Sequence, residues 1–346
     1  MSRGSVTRQK ATHEAGDPLL ASPSVPIASS PRRPNSIRRT TTHDAVRPEG
    51  LRGPVTVLGR GRDLFTDADH SGAVLDVGRV ELRAEYLKRR VISISSEPSY
   101  PELAALVGAN PFSGFRDAIG DLMPRERAAH SIRFRLLYDL APALLVSGRA
   151  LRAAGVPIEM SGRTRNTVDI CAGWVQGGTL LRGLTEAGPP LHVGPIAPTL
   201  WLEDDPLSWH DADPLPVHAT RRSRRLDLWP DNGAVLLESY FRDSHVDTHG
   251  RETIVHEYGL RGAINPLKRR ILWCVTTPGA LPYPECPSAA GSADRLVGMH
   301  LSEVTALVRR EFIGSSTCTH LNDTFRCLED AEALMLLLKP TVGTLT

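Results

Sequence analysis

The chain is short of cysteine, of long apolar runs and of net charge, and each shortage removes a class of protein. Five cysteines in 346 residues, an odd number at irregular spacing, do not make the disulfide framework of a small secreted fold. Free thiols fit a reducing compartment, and the expected location is the cytoplasm. No stretch approaches eighteen consecutive apolar residues, and Leu19 and Leu20 are soon followed by Pro23 and Pro26. The sequence therefore predicts neither a membrane-spanning helix nor a secretory leader. Forty-one Lys and Arg against thirty-nine Asp and Glu leave +2, too weak a field to hold the whole chain on nucleic acid or an anionic membrane. Gly-rich phosphate loops, Cys-x-x-Cys hooks and aromatics interleaved with basic residues are also missing. The expected partner is a small molecule or a protein, with no nucleic acid and no membrane.

A hydrophobic content of 41% over this length supports two compact units of about 100 to 150 residues. Residues 1–47 are rich in Ser, Thr, Pro and Arg and hold no aromatic residue, a composition that predicts a disordered basic tail. From Pro54 the pattern alternates as in strands, with Val55 to Gly59, Val74 to Ala84 and a third strand from Val91. Helices are expected at Pro101 to Val107, Phe115 to Leu122 and His130 to Ala154, the last kinked at Pro142. A Pro/Gly-rich connector over 155–217 carries Asp169-Ile170-Cys171-Ala172-Gly173-Trp174 and Asp204-Asp205-Pro206-Leu207-Ser208-Trp209-His210. Its tryptophans suggest that it packs near a cleft.

The order of motifs then recurs. Leu267-Lys268-Arg269-Arg270-Ile271 repeats Leu87-Lys88-Arg89-Arg90-Val91 at an offset of 180 (267 minus 87), and Arg242-Asp243 stands the same distance after Arg62-Asp63. Tyr283-Pro284-Glu285 follows Tyr100-Pro101-Glu102 at 183, and His320 follows His130 at 190. Slowly growing offsets in a kept order indicate a duplicated unit. The expected fold is α+β: two tandem repeats, each an antiparallel meander followed by two or three helices on one face. The first, 48–154, is degenerate, and the second, 218–346, carries the chemistry. In the second, strands are expected at Ala234 to Phe241, Thr253 to Ile264 and Ile271 to Thr276, and helices at Pro287 to Val297, Leu301 to Phe312 and Leu321 to Leu338. Arg221-Arg222-Ser223-Arg224-Arg225 reads as a charged strand edge or, less favoured, a phosphate-binding cluster.

Cys286 and Cys318-Thr319-His320 each stand before an expected helix, where the helix N-terminus favours thiolates. With His256-Glu257 from a strand, Cys286, Cys318, His320, His256 and Glu257 make a candidate metal set, suited to zinc and less to an iron–sulfur cluster. The alternative is an enzyme, a hydrolase, lyase or acyl transferase acting on a small carboxylate or thioester. In it Cys286 or Cys318 attacks, His320 or His256 takes the proton, and Asp243 or Glu257 orients the base. A protein–protein module with structural cysteines is a second alternative. Whether the chain is an enzyme is left open. Cys274 and Cys327 read as core residues, and Cys171 fits either a cleft or a core.

Arg242-Asp243-Ser244, His256-Glu257-Tyr258, Tyr283-Pro284-Glu285-Cys286-Pro287, Leu296-Val297-Gly298 and Cys318-Thr319-His320-Leu321 make the second repeat resemble the bacterial family known as domain of unknown function 2889, over roughly 222–338. That resemblance implies no reaction. The order Glu257, Cys286, Cys318-x-His320 is also distantly similar to the iron–sulfur scaffold fold of the IscU/SufE/NifU type. This second likeness implies three antiparallel strands followed by helices, with a metal or thiol site.

Overall fold

The computed structural model describes residues 25–157, 167–184 and 190–338. Eight strands make one antiparallel sheet: β1 (Ser36–Val46), β2 (Val55–Thr66), β3 (Gly72–Glu85), β4 (Arg90–Glu97), β5 (Thr220–Asp231), β6 (Ala234–Val246), β7 (Glu252–Asn265) and β8 (Arg270–Pro278). The order across the sheet is β4-β3-β2-β1-β5-β6-β7-β8. Two four-stranded meanders thus meet along β1 and β5, in a register running from Ile37↔Leu228 to Ala45↔Thr220. The fold is mixed α and β, and the strands expected from alternation all lie within β2 to β4 and β6 to β8.

Two expectations fail at the seam. Residues 36–46, assigned above to a disordered tail, form β1, and all but Val46 are buried. The rest of that tail up to residue 24 lies outside the described residues. Arg221 to Arg225, read as a solvated edge, lie in β5 at the middle of the sheet and are all buried. Both faces of these strands are covered, and the guanidinium groups find carboxylates there. Arg38 bonds Asp227 (Nε to Oδ1, 2.5 Å), and Arg221 bonds Asp44 (Nε to Oδ1, 2.6 Å), each pair lying directly opposite across the seam. Arg39 grips Asp63 with two bonds of 2.7 Å, and Arg222 grips Asp243 with bonds of 2.8 and 3.0 Å. A polar strand can be a central one when every charge is paired in this way.

Side chains alternate across each strand, and the two faces carry different cover. One face receives the helices α1 (Phe115–Leu122), α2 (Pro124–Ala128), α3 (Ile132–Val146) and α4 (Gly148–Ala153) of the first half. α3 starts at Ser131, whose hydroxyl accepts the Phe134 amide at 3.1 Å, and it passes through Pro142 before breaking at Ser147. It buries Ile132, Leu136, Leu137, Leu140 and Leu144 against the sheet. A short α5 (Thr179–Arg182) comes from the connector. The second half adds a 3-10 helix (Cys286–Leu296), α6 (Val304–Glu311), α7 (Thr319–Arg326) and α8 (Asp330–Leu337). The opposite face is covered by the segments 27–33 and 195–213. There Leu200, Trp209 and Tyr240 make a small core, and His210 bridges Thr40 Oγ1 and Thr42 Oγ1 at 2.8 and 2.9 Å.

Candidate functional site

The β6–β7 register decides which groups can meet. Arg242 lies opposite Glu257, and Asp243 opposite His256, just before a bulge at Asp243/Ser244. Neighbouring side chains point to opposite faces, so Asp243 and His256 face the helices while Arg242 and Glu257 face away. α7 begins at Cys318, its N-cap, and delivers His320 to the same place. Asp243 Oδ2 lies 3.5 Å from His256 Nδ1 and 3.9 Å from His320 Nε2. The two imidazoles stack at 3.6 Å between centroids. One ligand atom from each of these three residues lies within 4.8 Å of the others, the one such group among the described residues. Asp243 is fully buried, whereas the His256 and His320 side chains keep 17% and 24% exposure. The cluster is closed behind and open in front.

Electrostatics favour the ligand forms of these groups. Burial raises the Asp243 carboxyl, but Arg222, by its charge and its two hydrogen bonds, with His256 and His320 beside it, overcomes that and holds the carboxyl well below its usual range. Burial lowers His256, with Asp243 opposing only in part, and burial together with neighbouring His256 lowers His320. Both rings are therefore neutral near pH 7. Burial alone would raise the Cys318 thiol, yet hydrogen bonding with His320 and with the Tyr258 hydroxyl brings it below the ordinary value. Its Sγ stands 3.9 Å from His320 Nδ1.

Cys286 behaves differently from the expectation of a thiolate. It opens the 3-10 helix, is 6% exposed within the core, and burial, then nearby Cys318 and Cys171, push its thiol far up. Core burial outweighs whatever a helix start supplies. Cys171, pushed up to about 11 by burial first, arrives on the connector, where the Ala172 amide donates to the Thr317 carbonyl at 2.8 Å. A Cβ on Gly173 would lie 2.9 Å from Cys286 Sγ, so glycine lets the connector approach that sulfur.

Of the residues singled out from sequence, Asp243, His256, His320 and Cys318 come together, and Cys286 packs behind them. Glu257 does not join them. It accepts the Tyr240 hydroxyl at 2.6 Å and Arg242 Nε at 2.9 Å on the opposite face, because period 2 separates it from His256. Cys274 and Cys327 are buried. Sequence reasoning missed Arg222 and Tyr258. The sequence shows Arg222 but not its pairing: in the sheet it stands opposite Asp243 as Arg39 stands opposite Asp63.

An eight-stranded α+β fold with a buried carboxylate, two imidazoles and adjoining thiols is the class that the fold and site define. Residues 220–334 match the family described as "Protein of unknown function (DUF2889)", a span from the first residues of β5 into α8. No curated protein and no solved structure matches the chain. The likeness to the iron–sulfur scaffold fold gains no support, and the position of Glu257 separates the acidic residue from the sulfurs that likeness would join to it.

Proposed function

We propose that the C-terminal half binds one divalent transition metal, zinc foremost, through Asp243, His256 and His320. The observation that carries this reading is the spacing of their ligand atoms. Ligands at about 2.1 Å around a tetrahedral ion lie roughly 3.4 Å apart, and the separations of 3.5 and 3.9 Å from Asp243 are close to that. His256 Nδ1 is buried without a good hydrogen bond, as a vacant donor would be. Arg222 holds the carboxylate from behind, and Cys318 faces the far nitrogen of His320, in the way supporting residues orient ligands. Three protein ligands leave a fourth position for water or substrate, where a bound metal would supply Lewis acidity.

A second reading, a Cys318 nucleophile with His320 as its base and Asp243 beyond, is favoured by the lowered Cys318 thiol. One experiment separates the two. Chelator-treated protein is titrated with Zn2+ and with Co2+, beside His256→Ala and His320→Ala. About one equivalent bound by the parent, weakened at least tenfold in each folded variant, supports the metal centre. A parent that takes up neither ion sinks it, and thiol chemistry is then tested by alkylation of Cys318, which should slow in His320→Ala.

We further infer that the two halves are copies of one unit. The bulges at Asp63/Leu64 and Asp243/Ser244, and at Arg83/Ala84 and Ala263/Ile264, are each 180 residues apart. The seam pairs Arg38–Asp227 and Arg221–Asp44 are reciprocal. In the first half Asp63 is kept, but Asp76 stands where His256 does. An experimental structure whose halves lacked these matched bulges would refute the duplication. The free thiols fit a reducing, cytoplasmic setting.

A further inference from the structure

On the helix-covered side, where the two halves meet, α3 and α6 flank a cleft of about 290 Å³, near the lower end for small-molecule sites. It is distinct from the Asp243 cluster. Its walls are Phe134 and Tyr138, 6% and 8% exposed, with ring centroids 5.6 Å apart. Its charged lining is mainly cationic. Arg116 lies over the Tyr138 ring at 4.6 Å and is pinned by Asp323 at 2.9 Å. Arg309 donates to the Tyr138 hydroxyl at 3.0 Å and to Asp117 at 2.7 Å, an exposed pair at the rim. Arg127 also lines the cleft and has no carboxylate at ion-pair distance among the described residues.

The lining carboxyls do not balance these cations. Glu329 is already engaged by the Thr305 amide at 2.7 Å, and burial raises its carboxyl toward the neutral form. Asp117 is committed to Arg309 and is 65% exposed, so that pair is weak. A ligand carboxylate could take Arg127 outright and share Arg309, while an aromatic ring lay against Phe134 and Tyr138.

We propose that this cleft between the halves binds a small aromatic carboxylate, its ring against Phe134 and Tyr138 and its carboxylate on Arg127 and Arg309. The ligand would touch both halves, so binding should raise the melting temperature of the whole chain. The inference is independent of the metal centre. A chain of ion pairs runs from the cleft to that centre, Arg116 to Asp323 at 2.9 Å, Asp323 to Arg222 at 3.2 Å and Arg222 to Asp243 at 2.8 Å.

The test is a calorimetric titration of metal-free full-length protein with benzoate, cyclohexanecarboxylate and inorganic phosphate. Saturable benzoate binding, tighter than either other probe by about tenfold and weakened about tenfold or more in Arg127→Ala and Arg309→Ala, is the expected result. Both arginines are at the rim, and unchanged urea midpoints would show that the variants fold. Benzoate heats that do not saturate, equal affinity for phosphate, or binding indifferent to both substitutions would each overturn the proposal.

Discussion

At the scale of single residues, the seam is held by charges taken out of water, and such pairs are uneven in what they give. A buried ion pair contributes little over an apolar pair, but removing one partner leaves the other stranded at a cost of about 3–5 kcal/mol. Asp227 answers two guanidinium groups, Arg38 at 2.5 Å and Arg225 at 2.8 Å, and Arg38 is 1% exposed. Asp227→Ala should therefore lower stability by roughly 3 kcal/mol or more, read as a fall in the urea midpoint. An unchanged midpoint would mean that the arginines reach water or another acid. The sequence shows these arginines plainly, but not their fate. Arg221 to Arg225 look solvated because their partners, Asp44, Asp243, Asp139 and Glu238, come from three other elements, β1, β6 and α3.

Elements with local apolar periodicity were legible, and elements built on distant pairing were not. β3 and β7 alternate or run apolar and could be read from Val74 to Ala84 and Thr253 to Ile264. β1 could not, since Ser36–Val46 has two arginines, a histidine and an aspartate, and only its threonine run hints at a strand. The pairing of Asp243 with His256 needed the register, which no residue of β6 announces alone. The connector offers a test at this scale. Its residues 195–197 add to the free edge of β7, with the Ile254 amide donating to Pro195 and the Ala197 amide to Glu252, both at 2.9 Å. A Cβ on Gly194 would stand 2.1 Å from the Ile254 carbonyl oxygen, an atom of a paired strand that cannot yield cheaply. Gly194→Ala should cost about 1–3 kcal/mol and speed hydrogen exchange at the Ile254 and Ala197 amides, while Leu260 in mid-strand stays protected. Unaltered exchange at both amides would show that the edge is not held this way.

For the molecule as a whole, one sheet shared by both halves should unfold as one unit, and its buried histidines set the acid limit of that unit. His210, held between Thr40 and Thr42, is brought down to about 3, first by burial and then by the nearby Arg62 and Arg221. His245 is brought to about 4, again by burial first. The unfolded chain takes a proton at each near pH 6.5, whereas the native chain does not until far lower. The unfolded state thus binds more protons in this window, and stability rises with pH across it. Above about pH 7 the effect is absent. Between pH 6.5 and 5 each such histidine costs roughly 2 kcal/mol, at about 1.4 kcal/mol per unit. Buried carboxylates act lower down. Burial works against Asp139, but Arg224 and Arg135 hold it to about 2, so its contribution persists above the unfolded value near 4 and fades only below it. Urea midpoints measured between pH 7.5 and 5 should therefore fall steadily in a single transition. His210→Gln, which can still bond Thr40 and Thr42, should flatten that fall. A parent midpoint constant over this range would show that the histidines gain protons in the folded chain, and with them the sheet's polar face would be open to water.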